Sequence, residues 1–258
     1  MRNLALILFM TLLLSGCLST YVPPMPPLKT VPNPKLGLYV NVSNTPKHTH
    51  VGTTIFNNDV KMYDYDWQMQ SRIVELVSNK IESTTQYEVV DLSFLSPDEI
   101  SKLDFATVND KQWKLIEQNE DLRQKLLERG ITAIMSIEET PTLAQLACSQ
   151  YGCTEFYSQG HGLFTRSFFG LDTYIASASY IMTAELLDPG VDLFMFETLS
   201  EFRGFQKRHI ILDDFEDPND FENITEEEFL PVRAAIDDYL IELTTTISQF
   251  LNGELPKP

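Results

Sequence analysis

Chemistry-bearing side chains are sparse in this sequence and sit in small clusters. His48 and His50 lie two apart, which on an extended strand puts both imidazoles on one face, as a metal pair requires. No Cys or carboxylate is close in sequence, so the same spacing also describes a polar loop. His161, between Gly160 and Gly162, can be drawn with Ser158 and Asp172 into a nucleophile–base–acid relay. No nucleophile elbow presents that serine, and the flanking glycines describe a loop tip better than an oriented base. Gly160-His161-Gly162 also lacks the spacing and the lysine of a phosphate loop. His209 follows Lys207 and Arg208, a basic spot in an acidic chain. Asp213, Asp214, Glu216, Asp217, Asp220 and Glu222 crowd hard oxygen ligands into one loop, as calcium would need, but without EF-hand spacing or its central glycine. The expectation is a chain with no catalytic constellation, no metal site and no cofactor, and hence not an enzyme.

Cysteine is more specific. Cys17 closes the tetrapeptide Leu14-Ser15-Gly16-Cys17, preceded by Arg2 and an apolar run, Leu4 to Leu14, broken only by Thr11. The run is too short for a hydrocarbon core that needs ~20 residues but suits the apolar region of a secretion signal. Two small residues let a peptidase hold extended backbone beside the thiol. The tetrapeptide resembles the bacterial lipobox, whose cysteine receives diacylglycerol before cleavage. Residues 1–16 are therefore expected to be a lipoprotein signal peptide, and Cys17 the lipid-bearing N-terminus. Acyl chains there contribute ~0.8 kcal/mol per buried CH2, so several hold a protein to a membrane without a transmembrane helix. Leu18, rather than Asp, follows the cysteine, which in two-membrane bacteria implies sorting to the outer membrane with the domain facing the periplasm. Cys148 and Cys153 remain as an even pair in an oxidising compartment and are expected to form a disulfide. Gly152 supplies the φ freedom of the short loop between them.

The chain has 258 residues, 43% of them hydrophobic and 11% aromatic, enough to bury a substantial core after the signal is removed. Its 37 acidic against 19 basic side chains give a net charge of -18. That balance excludes a nucleic-acid footprint and wide contact with anionic lipid. The expected partners are the membrane, through the lipid anchor, and an envelope protein. No small-molecule substrate is evident.

The elements that must position these residues follow from periodicity. Pro23, Pro24, Pro26, Pro27, Pro32 and Pro34 make residues 17–35 a tether, extended at ~3.1 Å per residue. Lys35 to Val42 alternates as a strand, 66–84 carries a helical stripe (Met69, Ile73, Leu76, Val77, Ile81), and Tyr87 to Leu92 is a short strand. Ser96-Pro97-Asp98-Glu99 is a capping box. Asp110 to Arg129 reads as a helix ended by Gly130, and Ile131 to Ile137 as a buried strand. Residues 138–172 show little periodicity and read as an insertion, at about 140–172. Tyr174 to Asp188 reads as one long strand that returns, after Asp188-Pro189-Gly190, as Leu193 to Phe202, a β-hairpin. Thr225 opens a second capping box, and Pro231 to Leu251 is the last helix. The order β-α-β-α-β, then β-hairpin, then α predicts an α/β (α+β) fold: a mixed β-sheet with helices packed on it, as a single domain over 36–253.

The lipobox, the Pro-rich segment, this element order and the segment ASASYIMTAELLDPGVDLFMFE, 176–197, together resemble the periplasmic lipoproteins with a TolB-N-terminal-like α/β domain. That group includes the outer-membrane lipoprotein activators of penicillin-binding proteins and the curli secretion lipoprotein. The resemblance covers roughly 36–251 and implies a non-catalytic module that helps assemble or regulate an envelope protein machine. Its alternative is an oligomeric pore-forming secretion lipoprotein of the curli type, with the insertion and the 174–202 hairpin as membrane strands. No residue role carries over by motif. From the residues themselves, the expected partner surface is the insertion, through Phe164, Arg166, Phe168 and Phe169, because aromatics dominate interface hot spots.

Overall fold

The computed structural model describes residues 21–149, 152–169 and 171–254, apart from 214, 217, 219, 220 and 222. Of the side chains at 55, 145–149, 152–154, 168 and 171 nothing is described. The lipobox lies outside the described residues, as do the cysteine side chains on which the expected disulfide depends.

The expected mixed α/β architecture is present, built on two sheets rather than one. The first runs β13-β12-β7-β1-β4, from β1 (Lys35–Asn41), β4 (Glu88–Asp91), β7 (Ile131–Glu139), β12 (Tyr180–Leu186) and β13 (Val191–Asp192). β1 is parallel to both β4 and β7, while β12 is antiparallel to β7. The second runs β14-β11-β10-β2-β3, from β2 (Lys47–Val51), β3 (Asp59–Met62), β10 (Gly162–Phe168), β11 (Leu171–Ser177) and β14 (His209–Ile211). Here β10 is parallel to β2 and the other pairs are antiparallel. Hairpins β5–β6 (Ala106–Asn109, Gln112–Leu115) and β8–β9 (Thr142–Ser149, Gly152–Ser158) stand beside the sheets.

The main core lies between the sheets and two helices, α1 (Met69–Thr84) and α6 (Leu230–Leu251). The stripe Met69, Ile73, Val77, Ile81 of α1 is buried, and so is Val232, Ile236, Tyr239, Leu240, Leu243, Ile247, Phe250, Leu251 of α6. Arg72 Nε donates to Asp237 Oδ1 at 2.8 Å and ties the two helices together. A second cluster, with Leu92, Phe105, Leu126, Ile134 and Leu187, fills the space under α3 (Glu120–Glu128). The short helix α2 (Pro97–Ile100) starts with the expected capping box: Glu99 N donates to Ser96 Oγ, and Glu99 Oε2 accepts from Ser96 N.

Several elements differ from the sequence reading. The chain over 110–129 is not one helix. Asp110 and Lys111 both have positive φ and form the two-residue turn of the β5–β6 hairpin, and α3 begins only at Glu120. The expected long strand 174–188 divides at Ala178-Ser179 into β11 and β12, which belong to different sheets. The expected facing is preserved: Tyr174, Ala176, Ala178, Tyr180, Met182, Ala184 and Leu186 all lie in the main core. Residues 193–202 do not return as a strand. After β13 the chain coils into short helical turns around α4 (Glu197–Ser200) and α5 (Phe205–Arg208), with Asp192 Oδ1 accepting from Phe194 N at 2.9 Å. Leu193, Phe194, Leu199 and Phe202 are buried in them, at a spacing no strand could bury on one face. Of the expected return strand only the two residues of β13 pair back on β12, Glu185 opposite Asp192 and Leu186 opposite Val191. The proposed insertion 140–172 is structured, supplying the β8–β9 hairpin and part of the second sheet, and the polar stretch 43–64 supplies β2 and β3.

In its described part the Pro-rich segment packs along the domain and is not an extended tether there. Over 21–34, Met25 and Leu28 pack against the main core, Trp113 Nε1 donates to Pro24 O at 3.2 Å, and Lys29 meets Asp188 at 2.7 Å. This strap crosses the C-terminal end of α6, where Leu28 approaches Gly253. From the strap, β1 leads from Lys35 to a seam between the sheets, and β2 leads from Lys47 at the seam out to Val51.

Candidate functional site

At the outer end of the second sheet, two loops meet. Residues 52–58 leave β2, and the turn around Phe169 joins β10 to β11. Parallel pairing of β2 with β10, Val51 opposite Arg166, brings them together. That pairing is close at its start: Gly162 has φ 132, and a Cβ there would lie 2.2 Å from Lys47 O, so only glycine fits. At the far end Arg166 is half-buried, and its Nη1 donates to Val51 O at 3.3 Å, Gly52 O at 2.5 Å and Ser167 O at 2.7 Å. Thr53 Oγ1 accepts from Phe169 N at 3.1 Å, and Thr54 Oγ1 donates to Asn57 Oδ1 at 2.6 Å. The loops are thus held by their own polar groups.

What they present is apolar. Phe56 is 95% exposed and Phe169 is 80% exposed. Neither 52–58 nor 167–171 contains a charged residue, in a chain of which 22% is charged. The four residues expected to form the partner surface are thereby divided. Phe169 is on the tip, and Arg166 stands behind it as a brace. Phe168 has no described side chain. Phe164 is fully buried with Val51, Ala144 and Ile175, because alternation along β10 turns it under the β8–β9 hairpin. Phe56 was missed by sequence reading, since a single aromatic in a polar stretch carries no periodic signal.

His48 and His50 are tied into the second sheet. Tyr63 donates to Phe221 O at 2.6 Å, so His48 Nδ1, 3.3 Å from Tyr63 Oη, must be the donor of that contact. Nε2 of His48 then accepts from Thr165 Oγ1 at 2.8 Å, and His50 Nδ1 donates to the same hydroxyl at 2.6 Å. Both nitrogens of His48 are used, and burial, with His50 and Lys61 nearby, lowers its pKa to about 3. Among the described residues, no group of three His, Cys, Asp or Glu side chains could hold a metal ion. Of the acidic loop, four carboxylates lie outside the described residues.

Nor do Ser158, His161 and Asp172 form a relay. Ser158 Oγ donates to Gly160 O and accepts from Ser177 Oγ, while Asp172 is exposed. His161 is fully buried at the seam, with Nδ1 3.5 Å from Glu139 Oε2, at the outer limit of a hydrogen bond. Lys47 Nζ meets the other oxygen of Glu139 at 2.6 Å. Burial works to raise the Glu139 carboxyl, but His161, Lys47 and Ser43 outweigh it and hold it well below the usual range. Ser158 and His161 are both sealed from solvent, which suits a structural seam and not a substrate site.

A groove of about 710 Å³ runs between α6 and the second sheet, bordered by Ile175, Phe205, His209, Ile211, Ala235 and Tyr239. Burial lowers the His209 pKa to about 4, partly opposed by its bond to Phe205 O. The groove was invisible in the sequence because its walls come from segments far apart in the chain. No protein-family model and no curated protein matches this chain.

Proposed function

We propose that this chain is an outer-membrane lipoprotein, anchored by acyl chains on Cys17, whose α/β domain is a non-catalytic binding module that helps assemble or regulate an envelope protein machine. The observation that carries the binding role is the tip formed by Phe56 and Phe169. Two aromatic rings held in water by braced loops are costly unless something covers them. Arg166 and Thr53 order the loops in advance, so a partner meets a surface whose entropy is already restricted. α6 is ~33 Å long at 1.5 Å per residue, with the strap at its C-terminal end and the groove along its N-terminal half.

The test is site-specific photo-crosslinking in living cells from position 169, with position 94 on a different part of the surface as control. An envelope protein captured from 169 and absent from 94 supports the reading. The same products from both positions, or none from 169, would overturn it.

A further inference from the structure

β3 is an edge strand, paired only with β2 among the strands of the described residues. Its register runs Lys47 opposite Met62, His48 opposite Lys61, Thr49 opposite Val60 and His50 opposite Asp59. Tyr63 N donates to Pro46 O in the same register. Hydrogen-bonded pairs alternate in an antiparallel ladder, so residues 59, 61 and 63 turn their backbone groups toward β2. Val60 and Met62 turn theirs outward. They are also 51% and 66% exposed, an apolar pair on one face of an open edge. Sheet edges of this kind are templates for another strand.

We propose that this edge pairs with the same edge of a second copy of the chain, antiparallel, with Val60 on the two-fold axis, joining the two second sheets into one. The charges select both the occupant and the register. With Val60 on the axis, Asp59 faces Lys61 of the second copy, and Lys61 faces its Asp59. Centring on Asp59 or on Lys61 instead places like charges directly opposite, which is destabilising. Of these three, the Val60 register alone places opposite charges face to face, and it sets the outward backbone groups of Val60 against those of its copy and those of Met62 against Asn58. This inference does not rest on the lipid anchor or on the tip.

The test is the full chain, solubilised in detergent and followed by sedimentation across a hundredfold range of concentration. A monomer–dimer equilibrium is expected. Asp59→Lys should weaken it about tenfold or more, by turning two attractive pairs into repulsive ones. The double exchange Asp59→Lys with Lys61→Asp should restore it. Val60→Cys gives an independent reading: paired residues on the axis have Cα atoms ~5.5 Å apart, within disulfide reach. Oxidation should trap a covalent dimer that Phe94→Cys does not give. A parent chain that stays monomeric throughout, a double exchange that fails to restore association, or equal trapping from positions 60 and 94 would each overturn the proposal.

Discussion

Arg166 Nη1 donates to the carbonyl oxygen of Gly52 at 2.5 Å, joining the end of β10 to the loop that carries Phe56. The same nitrogen reaches Val51 O and Ser167 O, and the guanidinium stacks 5.2 Å from the centroid of Phe156. Arg166→Met keeps the stem and removes these bonds. It should lower stability by about 1–3 kcal/mol and Tm by about 3–8 °C. Limited proteolysis should then cut first within 52–58. Unchanged melting and an unchanged cleavage pattern would show that the brace does not hold the tip.

Glu185 on β12 is buried, and its carboxylate accepts from Phe105 N at 2.9 Å. Burial raises its pKa from 4.5 to about 9, with Asp104 and Asp192 adding to the rise and the Phe105 N–H opposing it. The folded state therefore binds a proton that the unfolded state has released between about pH 4.5 and pH 9. The contribution of Glu185 therefore falls as pH rises through that window, against that of His48 and His209, whose lowered pKa values favour the fold as pH rises. Glu185→Gln keeps an acceptor for Phe105 and removes the titration. Denaturant titrations at pH 5 and pH 8 should show the parent losing more stability than the variant, by an amount on the order of a few kcal/mol. Equal losses would contradict an ionisable, neutral Glu185.

Cys148 and Cys153 sit on adjacent strands beside the β8–β9 turn, between the pairs Leu146–Thr154 and Ser149–Gly152. Alkylation of the native protein without reductant, read by intact mass, is expected to label neither. Two labelled thiols would rule out the disulfide.

Lipidation is tested by Cys17→Ser. The variant should leave the membrane fraction and accumulate as uncleaved or soluble protein. Partition identical to that of the parent, after protein partners are stripped with salt and urea, would contradict the anchor.

Periodic apolar stripes made α1, α6, β1, β7 and the facing of 174–186 legible in the sequence, because those residues face one continuous core. The second sheet was hidden. Its strands bury His48, Thr49, Thr165 and Ser177 through partners more than a hundred residues away or in another strand, so no local alternation marks them. The β5–β6 hairpin was obscured because Trp113 and Ile116 also fit a helical stripe, while the turn at Asp110-Lys111 lacks the usual glycine. Phe169 was legible as an aromatic among glycines. That Phe164 would turn inward and Phe56 would join Phe169 followed only from the β2–β10 register.

The central claim, that the Phe56–Phe169 tip is the surface through which this domain binds an envelope protein, is tested most directly by the double variant Phe56→Ser, Phe169→Ser. Formaldehyde crosslinking in living cells, read by mass spectrometry, should lose the captured protein, while Tm stays within about 2 °C of the parent because both side chains are exposed. Undiminished capture by the folded double variant would contradict the claim.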